Sequence, residues 1–434
     1  MLTVVLGGVS CVVQARFIDP KVMGYFSAFG ILTQYLCFFH IGWMSALHRE
    51  YPYWIGKGDP ERANRVVAIA EGWVVLVCGC IGAIFLCLVL VSLFLGDFKA
   101  AAAWTTQLAL ASLSIYTLYL GCTYRSSHEF VTWSKLNAVS SVVSFLLLPL
   151  VALLGFWGLC IRGAVPPTLN GMLLHRSRPV RIAPQWDFRE FWRMVKFGLY
   201  MDLSGFLVTA CLVATMASLV AANYGLAVLG LFTFARLAES VVFQATNSIA
   251  MVFIPRINQQ MGTTESIRHC VRYAVKPMLA SFCLATVLIL AGTLLCRPLV
   301  SILAPKYIDS VPILRVFLWG GLAPVFTIPS SVLIAAKHTW AIAIANVLAF
   351  VVFITVGGAS VLLHLPAIFV AFAYLASLLT VVLVCLGILW MKLQSAETFT
   401  LDRGEMRLSP PSVQVCPETY GLEAAGDNWR PYQL

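Results

Sequence analysis

Apolar stretches of twenty or so residues follow one another along almost the whole chain, parted by short polar breaks. A helix rises about 1.5 Å per residue, so roughly twenty residues cross the ~30 Å hydrocarbon core of a bilayer. The runs fall at roughly 1–16, 22–47, 66–95, 101–122, 136–154, 156–174, 198–222, 226–254, 270–295, 312–336, 339–363 and 366–391, which predicts twelve spanning helices. In lipid every backbone polar group must be satisfied within the protein, so such runs become helices. Pro149, Pro166, Pro167, Pro324 and Pro329 do not veto this, because neighbouring helices can re-satisfy the groups a proline frees. Composition agrees. Of 434 residues 60% are hydrophobic and only 11% charged, too few charges for a water-soluble surface. The first run lacks a basic leader and a small-residue cleavage site, so it reads as a helix and not as a signal peptide.

The charged island HREYPYWIGKGDPERANR at 48–65 belongs to one side of the membrane. Breaks after even-numbered helices, together with the tail, hold 21 of the 29 Lys and Arg, and the opposite breaks hold six. By the positive-inside rule this bias predicts a cytoplasmic island and cytoplasmic N- and C-termini in a multi-pass cell-membrane protein. The net charge of +10 then needs no nucleic acid as partner. The 13 cysteines sit mostly within apolar runs, without metal or disulfide spacing.

The two halves echo each other. Around the second run stands MGYFSAFG and then REYPYWIGKGD; around the eighth stands LGLFTFAR and then VFIPRINQQMGTTE. Gly24 and Gly230 correspond, as do Phe26 and Phe232, Pro52 and Pro255, and Gly58 and Gly262. Two sets of six helices in the same orientation predict a pseudo-twofold axis along the membrane normal, with substrate held between the halves. The organisation expected is an N-terminal six-helix bundle at 1–174, a basic linker with an interfacial helix at 175–197, a C-terminal six-helix bundle at 198–392 and a polar, disordered cytoplasmic tail at 393–434. In the linker Trp186, Phe188, Phe191, Trp192 and Val195 gather near one face, away from Arg189, Arg193 and Lys196.

Five segments in order, RFIDPKVMGYF, ALHREYPYWIGKGDPERANR, SRPVRIAPQWDFREFWRMVKFGL, YGLAVLGLFTFA and LAPKYIDSVPILRVF, resemble the O-antigen and capsule flippases. These belong to the polysaccharide exporters of the superfamily that also holds multidrug and toxic-compound extruders. The resemblance implies an all-α integral membrane fold: two six-helix bundles around a central cavity. It also implies alternating-access export of a polyprenyl-pyrophosphate-linked oligosaccharide, with glycan assembly enzymes as partners. Arg162 and Pro166–Pro167, which make the sixth run polar and kinked, depart from the family pattern.

Such a cargo leaves its hydrocarbon in the bilayer, but its charged head needs a wet, polar and preferably cationic path. Charges within spans are therefore the first candidates. Arg236 and Glu239 lie mid-span at i and i+3 on one face, where the repeat places Gly30 and Thr33 in the first half. They read either as a pyrophosphate contact beside a coupling carboxylate or as a self-neutralised structural pair. Asp202 reads as a guard of the cytoplasmic mouth or as a polar helix-start residue. Arg162, about 9 Å from a helix end, reads as snorkelling to the outer interface or as a cargo contact. Gln34, Gln244 and Asn247 read as interhelical hydrogen-bonding amides or as cargo contacts. His40 and His364 stand alone in sequence, so no metal is expected.

Outward movement of an anionic head runs down an inside-negative potential, worth about 2.3 kcal/mol per charge per 100 mV. Proton or sodium counter-transport through Glu239 or Asp202 is the other drive. No GxxxxGK[ST] phosphate loop is present, and no cofactor is expected. Two rival readings remain: a multidrug or cation antiporter of the same superfamily, and a membrane glycan polymerase or glycosyltransferase.

Overall fold

The computed structural model describes residues 2–405 apart from 41, 57–58, 128, 265–266 and 337. Gly58, Lys337 and the tail from 406 onward lie outside the described residues. The described chain is helical apart from short turns and the linker at 177–187, and makes twelve passes. The first six are α1 (Leu2–Phe17); α2 (Pro20–Leu36) continued by α3 (Trp43–Gly56); α4 (Pro60–Phe94); α5 (Phe98–Ser126); α6 (Phe130–Leu146) with α7 (Leu148–Leu154); and α8 (Phe156–Arg176). The second six begin with α9 (Phe188–Phe206), which runs through a π-turn at Leu207–Cys211 into α10 (Leu212–Thr264). Gly225, at φ 85° and ψ 170°, divides α10 into two passes. Then come α11 (Ile267–Leu303); α12 (Val311–Gly320) with α13 (Thr327–Ala335); α14 (Thr339–Leu362); and α15 (Ile368–Glu405).

Among the described residues, seven segments are long and apolar enough to cross a bilayer. The other passes are short, broken or polar. The second pass breaks at Cys37–Gly42, where Gly42 adopts φ 90°. The tenth is one of the seven, yet it is built from short pieces whose first turns carry Pro305, Pro312, Pro324 and Pro329, where the missing N–H costs no helical bond. At the island's end the helices outrun the expected spans. Asp59 caps α4 by accepting the Arg62 N–H at 3.0 Å.

The buried side chains show how the halves are joined. One core is shared by both: Ile18 and Met23 of the first half pack with Leu229, Phe232 and Tyr307 of the second. This shared core lies at the end opposite the island. Toward the island, here the basic end, two smaller cores form, the first of which takes in Met194 and Val195 of α9. Trp43, Leu47, Val67 and Tyr124 belong to the first half; Ile257, Ala274, Val332 and Cys385 belong to the second. At the far end Gly24 and Gly230, matched by the repeat, meet directly. A Cβ on Gly24 would overlap the Leu226 carbonyl and come within 2.9 Å of the Gly230 nitrogen. A Cβ on Gly230 would overlap the Pro20 carbonyl. Lipid gives apolar helices little reason to associate, so close backbone approach through small residues supplies the packing. Asp19 and Lys306, 2.7 Å apart, add an ion pair across the same end.

The linker is strapped to the first half. Arg178 pairs with the buried Glu71 of α4, which also accepts from Tyr119 at 3.3 Å. The Gln185 N–H donates to the Ala68 carbonyl at 3.0 Å, and Gly72 leaves room for the strap: a Cβ there would lie 2.6 Å from the Gln185 oxygen. Asp187 caps α9 and pairs with Arg65 at 3.0 Å. The Glu190 N–H first, and then the Arg65 guanidinium, hold the Asp187 carboxyl below the usual carboxylate range. The apolar face expected at an interface is divided. Phe191 stacks on Trp73 at 3.9 Å, whereas Trp186, Phe188 and Trp192 are exposed. Replacing Arg178 by Ala leaves a buried carboxylate without its cation. Such losses cost about 3–5 kcal/mol when both partners are buried. Arg178 is partly exposed, so the expected destabilisation is near the low end, read as a lowered melting temperature of the purified protein.

Candidate functional site

The sixth pass carries Pro166 and Pro167 in its middle. Neither has an N–H, so the carbonyls of Arg162 and Gly163 lose their helical donors and the helix kinks. The Ser140 hydroxyl donates to the Pro166 carbonyl at 3.0 Å, and Thr106 donates to the Cys160 carbonyl at 3.2 Å. Beside the kink lies a cavity of about 580 Å³ within the first half, bounded by α1, α2, α5, α6 and α8. Its polar lining is Ser10, Gln14, Ser114, Ser140, Arg162 and Asn170, with further hydroxyls from Thr117, Ser141 and Ser144. Among the described lining residues there is one cation and no carboxylate.

Arg162 turns inward. Its Nε donates to the Ser144 carbonyl at 3.0 Å and its Nη1 to Gln14 Oε1. The snorkelling reading is therefore corrected. Two acceptors inside the bundle satisfy the guanidinium, so it need not reach the interface. Asn170 donates to Asn137 at 3.1 Å, while its own Oδ1 is buried without a hydrogen bond. Sequence reasoning missed Gln14, Asn170 and the serines of α6. The signal was available: Ser140, Ser141 and Ser144 recur on one helical face, and Gln14 interrupts an apolar run.

Arg236 and Glu239 occupy a different place. Both are on α10, inside the second half, with Nε and Oε2 3.8 Å apart. Glu239 is 5% exposed and accepts from the Tyr374 hydroxyl at 2.9 Å. Gly320 of α12 lies against it, where a Cβ would come within 2.7 Å of Oε1. Arg236 Nε and Glu239 Oε2 are buried without a hydrogen bond, so the pair is loosely made. The repeat explains the position. In the first half Thr33 donates to Gln107 of α5 at 2.8 Å, and Gly30 faces the same amide. Tyr374→Phe removes the donor to Glu239 and nothing else. An orphaned buried acceptor costs about 1–3 kcal/mol, more when it is charged, so the melting temperature of the purified variant should fall.

Asp202 is not at a helix start. Its Oδ2 accepts the Gly42 N–H at 2.9 Å, which caps the broken second pass at the entry to α3 and ties the second half to the first near the basic end. Gly42 and Gly198 make the approach possible, since a Cβ on Gly198 would overlap the Gly42 carbonyl. Gln34 and Gln244 are exposed, Asn247 is partly so, and none of their side chains bonds another helix among the described residues. The interhelical reading of these amides is corrected: among the described residues no neighbouring helix gives them a hydrogen-bond partner. The structure thus separates the candidates into the Arg162 cavity, the Glu239 cluster and the Asp202 tie.

A family model described as "Polysaccharide biosynthesis protein" matches residues 14–312. The chain belongs to the polysaccharide biosynthesis protein family. The match takes in Arg162 with most of its cavity, the Asp202 tie and the Arg236–Glu239 pair. No curated protein matches the chain. Among solved structures, an inward-facing multidrug resistance MATE family transporter of the MOP superfamily superposes with a TM-score of 0.69 at 13% identity, covering 91% of this chain and 96% of the other. A MATE protein in the bent conformation gives 0.63 at 14% identity, covering 92% and 94%. An outward-facing MATE family transporter of the MOP superfamily gives 0.55 at 14% identity, covering 91% and 96%. At these identities the shared property is the twelve-helix fold. This member of the family is a multi-pass membrane protein with a transporter fold.

Proposed function

We propose that the protein moves an anionic, lipid-linked saccharide of the polyprenyl-pyrophosphate type from the inner to the outer leaflet by alternating access. The observation that carries this reading is the Arg162 cavity: hydroxyls and amides suited to a sugar, one guanidinium suited to phosphate, and no described carboxylate in the lining. Membership in the polysaccharide biosynthesis protein family supports the cargo class. The core that both halves share at the far end, set against basic-end contacts carried by α9 and the Asp202 tie, supports a state more tightly closed at the far end. The greater likeness to the inward-facing relative supports the same state, with the basic end toward the cytoplasm. Membrane potential drives the anionic head outward; a proton or sodium ion at Glu239 or Asp202 is the alternative drive.

A cationic drug would meet the Arg162 guanidinium, which disfavours the antiporter reading. A glycan polymerase or glycosyltransferase would need clustered acid–base groups in a loop, and the cavity lies instead within a bundle. The decisive measurement uses proteoliposomes holding a fluorescent polyprenyl-pyrophosphate oligosaccharide, scored by quenching from outside. Leaflet exchange above that of empty liposomes, enhanced by an imposed potential, is expected. Exchange at the empty-liposome rate, or cationic-dye efflux in its place, overturns the reading.

A further inference from the structure

A second polar cavity, of about 620 Å³, lies at the basic end between α10 and α11, remote in sequence from the Arg162 site. His269, Arg272 and Lys276 line it, spaced i, i+3 and i+7, so they share one face of α11. Arg272 and Lys276 are exposed, in the first three turns of a helix whose remainder is strongly apolar. The opposite wall is apolar, with Ile249 and Phe253 of α10, and Ala280 continues it deeper along α11. No carboxylate is among its described lining residues. Pro277, inside α11, has no N–H, which leaves the Tyr273 carbonyl without its helical donor beside the basic face.

We propose that this groove is the loading site for the pyrophosphate of the lipid cargo. The cations grip the headgroup and the first prenyl units lie along Ile249, Phe253 and Ala280. The inference rests on the transport reading above and adds where the cargo is first held. Charge decides the occupant. Two permanent cations and a histidine match a pyrophosphate of two or more negative charges, whereas a bulk phosphodiester lipid carries one. Position agrees, because the groove stands at the end where the headgroup of an unflipped cargo would lie. Basic residues scattered for topology alone would not share one walled face; Arg268, exposed on the same helix, does not line the groove.

The test measures binding of farnesyl pyrophosphate to the purified full chain in neutral-lipid nanodiscs, with inorganic pyrophosphate and phosphatidylglycerol as competitors. Arg272→Gln with Lys276→Gln is expected to weaken farnesyl pyrophosphate at least tenfold. Arg268→Gln, on the same helix but outside the groove, should leave it unchanged. Bound farnesyl pyrophosphate should also shield Lys276 from amine acylation in the wild-type protein, a readout that needs no variant. Unchanged affinity in the double variant overturns the proposal. So does equal competition by phosphatidylglycerol, which would make the groove an annular-lipid site. Equal competition by inorganic pyrophosphate also overturns it, since the apolar wall would then contribute nothing. Leaflet exchange scored in parallel separates the two claims: exchange without binding here removes only the loading site, and binding without exchange removes only the transport reading.

Discussion

Gly24→Ala is expected to force the far end apart. The added methyl would occupy the position of the Leu226 carbonyl, and backbone cannot yield as a side-chain tip can. Overpacking costs about 1–3 kcal/mol, occasionally more. All of that cost falls on the state in which α2 and α10 touch, and a difference of this size moves a two-state equilibrium roughly 5- to 150-fold. Spin labels placed by Lys21→Cys and Asn223→Cys, both exposed at the far end, should report a longer distance in the variant. Gly230→Ala should do the same, because its methyl would meet the Pro20 carbonyl. Gly79→Ala is the control: nothing lies within 4 Å of the added methyl, and alanine is the better helix former by about 1 kcal/mol. Equal label distances in all three proteins would mean that the glycine contact is not a gate.

Loss of the Arg162 guanidinium is expected to have the next largest effect. Arg162→Ala strips the cavity of its cation and leaves Gln14 Oε1 and the Ser144 carbonyl without their donor. Each orphaned acceptor costs about 1–3 kcal/mol where water cannot reach it. Saccharide exchange in proteoliposomes should fall at least tenfold. Arg162→Lys restores the charge but not the fork that serves both acceptors, so it should recover only part of the rate. Arg162→Gln keeps a donor and removes the charge, which separates packing from electrostatics. Wild-type exchange in correctly inserted Arg162→Ala protein would remove the cavity from the transport path.

The contrast between Arg162 and Glu239 shows what a linear reading can see. Arg236 and Glu239 stand out in sequence because they are charged and three residues apart in an apolar run. The structure keeps them together but adds Tyr374, 135 residues away, and Gly320, neither of which has a sequence signal pointing to Glu239. Arg162 also stood out, yet its direction depended on acceptors in α1 and α6. An arginine near a helix end reaches outward unless something inside the bundle accepts its hydrogens, and that something comes from distant segments. Of the two readings of Asp202, the helix-start one fails for the same reason: its partner is a backbone N–H exposed by a break in another pass.

The sequence by itself determined the helical, membrane-spanning class, the twelve passes and the two echoing halves. These follow from hydropathy along the chain and from the cost of unpaired backbone in lipid, both local properties. It also marked Gly24 and Gly230 as a matched pair. Only the tertiary structure decided that the two glycines touch, that the halves share a broad core at the far end and are tied through α9 at the other, and that a Pro–Pro kink opens a hydroxyl-lined cavity around an inward guanidinium. Those outcomes depend on which helices come within a few ångströms of each other. In lipid that choice rests on small residues and polar contacts brought from far apart in the chain, which no single run of residues contains.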